Sequence, residues 1–175
     1  MSKTFKTGWY VLYVKSCQEK KVHDLLQEDQ LESFLPVVKT IRKWSDRKKI
    51  VFKPLFTSYV FVKINSPMDF HKALSVNGAC AYIRFGSEYA IVKDQEILNI
   101  KLFLGSNELS DIETSNRSFK IGEIKKINYG SLSGLECEIL KVNNTNKLIV
   151  RIDSLQQSII ATVPSCHIVD IHEVA

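Results

Sequence analysis

The sequence has no HExxH, no GxSxG and no phosphate-cradling GxxxxGK[ST], so zinc-protease, serine-hydrolase and P-loop chemistry lack their usual signatures. Its four histidines, His23, His71, His167 and His172, show no metal-ligand spacing. Its four cysteines, Cys17, Cys80, Cys137 and Cys166, form neither a CxxC pair nor a Cys/His cluster. Structural free thiols and ordinary histidines are expected, with no metal, no cofactor and no catalytic residue. No apolar run approaches the roughly 18–20 residues of a membrane span, and the N-terminus lacks the apolar core of a secretory signal. The expectation is a monomeric cytoplasmic protein with no membrane partner.

What the chain does have is an uneven charge. Residues 1–104 carry 17 Lys and Arg against 10 Asp and Glu, whereas residues 105–175 carry 7 against 9. Within the first part Lys39, Arg42, Lys43, Arg47, Lys48, Lys49 and Lys53 crowd into 15 residues opposed only by Asp46. Such a block attracts polyanions and gains affinity by counterion release; its plainer role is a solvated basic loop.

The periodicities divide the chain. Residues 9–15 are a continuous β-prone run, and Ser16 with Glu19 fits a capping box for a helix whose apolar stripe is Val22, Leu25 and Leu26. A short strand over 34–40 leads into the basic loop, and a long strand returns over 55–64. Ser66, Pro67 and Asp69 start a second helix bearing Phe70, Ala73 and Leu74. Strands over 81–85 and 89–92 follow, then a helix opened by Asp94, carrying Ile97, Ile100 and Leu104 and capped by Gly105. Connections this short predict an α+β fold: an α/β sandwich on a mainly antiparallel sheet over 1–104. Residues 105–118 are polar and aperiodic and read as a linker. From 119 to 175, β-prone runs at 123–128, 136–142, 147–152 and 158–163 alternate with turn residues, as in a small closed barrel. Alanine is nearly absent there, occurring only at Ala161 and Ala175, which favours strands over helices.

Four segments stand together in order: WYVLYVKSCQEKKV (9–22), RKWSDRKK (42–49), PLFTSYVFVKI (54–64) and YIRFG (82–86). Together they resemble the N-terminal domain of the NusG family of transcription elongation factors, most nearly the specialised RfaH-like and UpxY-type antiterminators of polysaccharide operons, in which WSDRKK before PLF is typical. INYGSLSGLECEIL (127–140) similarly resembles a KOW motif of an SH3-like β-barrel, with Gly130 and Gly134 at the family's turn glycines and Cys137 where a further glycine is common.

The resemblance implies partners. Period-2 alternation puts Tyr59 and Phe61 on one face, and Trp9, Val11 and Tyr13 on another, so aromatics of neighbouring strands meet; Leu55, Val60, Val62 and Ile64 read as core. The family positions matching Tyr13, Phe56, Tyr59, Phe61 and Phe85 bind the clamp helices of the largest subunit of RNA polymerase, a helix-in-groove arrangement with aromatic anchors. Thr57 and Ser58 replace the usual Pro-Gly of PLFPGYVFV, so the bend before the aromatics is expected to differ. Lys15, Ser16 and Gln18, with Lys20, Lys21, His23 and Asn77, match a surface that touches non-template DNA; lysines would hold phosphates, and Gln18 and Asn77 would read base edges. Arg42, Lys43, Arg47 and Lys48 are candidates for upstream DNA, and Trp44 either stacks on a base or anchors the loop. For the barrel, the resemblance implies a ribosomal protein or a termination factor. Two other readings stand beside this one: a KOW-containing ribosome- or RNA-binding protein, and a general housekeeping NusG.

Overall fold

The computed structural model describes residues 6–43, 48–107, 109–115, 122–127, 132–133, 135–142 and 145–163. It divides into two compact units, Met1–Asp94 and Gln95–Ala175.

In the first unit the elements are β1 (Gly8–Val14), α1 (Glu19–Glu28), β2 (Ser33–Phe34), β3 (Val37–Lys43), β4 (Lys48–Pro54), β5 (Tyr59–Ile64), α2 (Pro67–Ser75), β6 (Ala79–Tyr82), β7 (Arg84–Phe85), β8 (Glu88–Tyr89) and β9 (Ile91–Val92). The main sheet runs β2-β5-β1-β6, with β9 also on β1, and all its pairings are antiparallel. The sequence of β1, GWYVLYV, explains its central place: with neighbours on both edges and nearly every side chain buried, only an almost continuous apolar run suits it. Tyr10, Leu12 and Val14 of β1 and Val60, Val62 and Ile64 of β5 form a core with Val22 and Leu26 of α1 and Ala73 of α2. Phe70 closes one end by stacking on Tyr82 at 4.1 Å, and the Tyr82 hydroxyl donates to the Phe70 carbonyl.

The second helix starts as expected: the Ser66 hydroxyl accepts from Asp69 N–H, and the Asp69 carboxylate accepts from Ser66 N–H. The first does not. Its N-cap is Gln18, without a side-chain cap, and Glu19 turns inward to accept the Ser58 N–H at 2.9 Å. Burial of a carboxylate against a tight turn has won over a local cap. The strand expected over 34–40 is divided between β2 and β3, and the strand expected over 55–64 is divided at a turn, with β5 beginning only at Tyr59. The basic loop expected between them is largely a β-hairpin, β3 paired with β4.

The second unit contains α3 (Asp94–Gly105), whose first residue lies in the first unit, then β10 (Ser110–Ser115), β11 (Glu123–Lys126), β12 (Glu136–Val142), β13 (Thr145–Ile152) and β14 (Gln157–Val163). The helix buries Ile97, Ile100 and Phe103, not Leu104. The strands form one antiparallel sheet in the order β10-β14-β13-β12-β11. The polar stretch expected as a linker contributes β10, whose backbone pairs with β14 although all of its side chains are exposed or only half-buried. Arg151 makes a bidentate contact to Glu138 across β13 and β12, at 2.7 and 2.9 Å.

Candidate functional site

Three segments converge beyond the C-terminal end of β1. The backbone N–H of Val14 donates to Ser58 O at 2.9 Å, and that of Lys15 donates to Gly78 O at 2.9 Å. Chain 15–18 is therefore held between the turn before β5 and the turn before β6. Space is tight there: Gly78 has φ +103, and a Cβ on it would lie 2.6 Å from Gln18 Oε1 and 2.8 Å from Val22 Cγ2. The result brings Lys15, Ser16 and Asn77 together on the surface, all exposed, with Lys20 and Lys21 exposed on the adjoining helix.

Two of the candidates in this group sit differently from the sequence-based expectation. Gln18 is half-buried, with Oε1 buried and without a hydrogen-bond partner, so its carbonyl faces inward. His23 is half-buried too, with Nδ1 2.8 Å from Ser33 Oγ, and burial holds its pKa below the ordinary imidazole value against the opposing pull of Asp24. The shift favours the neutral imidazole over a positively charged one at this surface.

The aromatic strand lies beside this patch. The β1–β5 register places Tyr13 opposite Tyr59 and Val11 opposite Phe61, so the expected aromatic face forms. Its members differ in access. Tyr13 is 45% exposed and Tyr59 half-buried, with ring centroids 6.3 Å apart at 71°. Phe61 is fully buried and Phe56 nearly so, and Phe61 packs against Phe56 and Phe34 at 5.6 and 6.0 Å. Phe61 and Phe56 form the floor, and the two tyrosines present the reachable edge. Leu55, Val60, Val62 and Ile64 are buried as expected. Phe85 is exposed on the separate β7–β8 hairpin, whose turn uses Gly86 at φ +62.

The turn replacing Pro-Gly keeps a bend. Ser58 takes φ +63, the left-handed region that glycine enters without a Cβ clash, and its N–H is bound by Glu19. Glu19 is thus part of the site, and the sequence pattern hid it by offering the capping-box reading instead. On the basic hairpin Lys39, Lys48, Lys49 and Lys53 are exposed. Arg42 and Lys43 belong to β3 by backbone pairing, while Trp44, Arg47, Gly130 and Gly134 lie outside the described residues.

The thiols are more exposed than expected: Cys17, at φ +61, and Cys80 are at the surface, while Cys137 is buried, with its pKa pushed up to about 12 by desolvation. Among the described residues no group of three or more His, Cys, Asp or Glu could hold a metal ion, and no helix is long and apolar enough to cross a membrane.

The family model described as "Transcription termination factor nusG" matches residues 7–101, more than half of the chain. The chain belongs to the NusG family. NusG-family proteins are non-enzymatic transcription factors that bind RNA polymerase, and a general role in transcription elongation comes with that membership. Among solved structures, "Domain interaction in Thermotoga maritima NusG" aligns at 22% identity and a TM-score of 0.53, covering 95% of this chain and 98% of that one. At that identity it is a likeness of fold. Two conformations of the MjSpt4:Spt5 complex align over 92% and 93% of this chain, and 96% of theirs in each case, at 14% and 13% identity and a TM-score of 0.33. No curated protein matches the sequence.

Proposed function

We propose that this NusG-family chain is a specialised elongation and antitermination factor that grips the clamp helices of RNA polymerase and touches the nearby non-template DNA. The observation that carries this reading is contiguity: the tyrosine edge, Tyr13 with Tyr59, adjoins the exposed group Lys15, Ser16 and Asn77 at one end of one sheet. A helical tip set against the tyrosines would leave a single strand within reach of the lysines. Phe56 and Phe61 support the tyrosines from below, and Phe85 extends the contact from its own hairpin. Lys20 and Lys21 add phosphate contacts. With its carbonyl turned inward, Gln18 is left with its amide nitrogen as the group to offer a base edge, as a donor. His23 shapes the helix–strand junction.

Residues 119–175 are proposed to be the KOW-type barrel. Support comes from the antiparallel sheet that the described strands β11 to β14 form together with β10, and from the KOW-like stretch containing Gly130 and Gly134. Its partner class, a ribosomal protein or a termination factor, rests on the family resemblance alone. Action on polysaccharide operons rests on the resemblance of WSDRKK, a contact of the basic hairpin with upstream DNA draws also on its charge, and a monomeric cytoplasmic setting completes the proposal. The mechanism is binding without chemistry: a bridge over the polymerase cleft that disfavours pausing.

The test is transcription by purified polymerase through a terminator, with and without the candidate leader sequence. Added protein is expected to raise readthrough, more on the leader-bearing template. Unchanged pausing and readthrough on both templates would contradict the proposal.

A further inference from the structure

The β3–β4 hairpin exposes an apolar face. Ile41 stands directly opposite Ile50, and Lys39 directly opposite Phe52. Period-2 alternation puts all four on one face with Val37 and Lys48. Phe52 is 67% exposed, Ile41 65% and Ile50 51%, an unusual concentration for a two-stranded ribbon. Neither described strand carries an acidic residue: VVKTIRK and KKIVFKP supply only positive charge. Lys39, beside Phe52, and Lys48 lie on this face four register positions apart, or about 13 Å along the strand. Lys49 and Lys53 are exposed on the opposite face.

Charge of one sign selects a polyanion, and the apolar strip selects which kind. A nucleic-acid duplex presents phosphates outward and hides the faces of its bases, so it would leave Phe52, Ile41 and Ile50 uncovered. A single strand splays its bases, which can lie on an aromatic ring while phosphates meet the flanking lysines. We propose that this face of the hairpin is a single-strand nucleic-acid binding site, with Phe52 as the stacking platform and Lys39 and Lys48 as phosphate contacts. This rests on and deepens the DNA contact proposed for the basic hairpin by naming a single strand as its ligand. The site lies on different strands from the Lys15–Asn77 patch, and its affinity does not depend on the tyrosine grip.

The experiment is fluorescence anisotropy of the full-length protein with a 15-nucleotide single-stranded DNA and a duplex of the same sequence, without polymerase. Phe52→Ala is expected to weaken single-strand binding about five-fold or more, while duplex binding stays within about two-fold. Phe52→Trp should restore the single-strand affinity. Lys39→Ala with Lys48→Ala should weaken both ligands and flatten the salt dependence. Because Phe52 is exposed, Phe52→Ala should fold, and an unchanged thermal melt confirms it. Single-strand affinity unaltered by Phe52→Ala, or equal losses on both ligands, overturns the proposal. So does a Phe52→Ala variant that binds DNA normally but loses polymerase, which would make the face a protein-docking surface.

Discussion

Ser58 offers a quantitative check on the turn that sets up the tyrosine edge. Its φ of +63 puts a Cβ where it crowds the following carbonyl, at a cost of roughly 1–2 kcal/mol relative to glycine. Glycine in turn gives the unfolded chain more freedom, which offsets roughly 0.4–1 kcal/mol. Ser58→Gly should therefore stabilise the protein by about 0.5–1 kcal/mol, raising Tm by about 1–4 °C for a chain of this size. Glu19→Ala should act in the opposite direction. It leaves the Ser58 N–H buried without its acceptor, at a cost of about 1–3 kcal/mol. Urea denaturation of wild type, both single variants and the double variant measures the two terms, with a constant m value showing that only stability has changed. A neutral or destabilising Ser58→Gly would refute the reasoning, because the turn would then carry no left-handed strain.

Two further outcomes follow from burial. Phe61→Ala should cost about 3–5 kcal/mol in the same denaturation assay, because the ring is fully buried against Phe56 and Phe34; a loss below about 1 kcal/mol would place it outside the core. His23 has a folded pKa below that of the unfolded chain, so the unfolded chain binds more protons between the two values. Its contribution to stability is intact above about pH 6.5 and declines as pH falls toward the folded pKa. His23→Gln should accordingly lose less Tm than wild type between pH 7.5 and 5.5, and parallel losses would remove His23 from that account.

Much of the fold was legible because its strands carry their own pattern. GWYVLYV could only be a central strand, Ser66-Pro67-Met68-Asp69 carries its capping box in four residues, and the strands at 136–142 and 158–163 were located to within a residue. Two of the failures depended on a distant partner. Glu19 looked like a capping residue until Ser58, 39 positions away, claimed its carboxylate. Tyr59 and Phe61 look alike along one strand; only the packing of Phe34 and Phe56 against Phe61 separates edge from floor. In the basic segment, the β-branched and aromatic residues of VVKTIRK and KKIVFKP suit strands, and the lysines among them ride on a two-stranded hairpin. β10 lacks such a signal, since SDIETS is held in its sheet mainly by backbone pairing with β14.

The division of the aromatic strand into floor and edge changes how the grip should be tested. Removing Phe61 would confuse loss of contact with loss of fold, whereas Tyr13 and Tyr59 can be truncated at the accessible end of the sheet. The most direct measurement is the affinity of core RNA polymerase, free of nucleic acid, for wild type and for the Tyr13→Ala, Tyr59→Ala double variant. Thermal melts of both proteins accompany it. The account predicts a loss of at least ten-fold with the cooperative melt retained. Undiminished affinity in a folded double variant would contradict it.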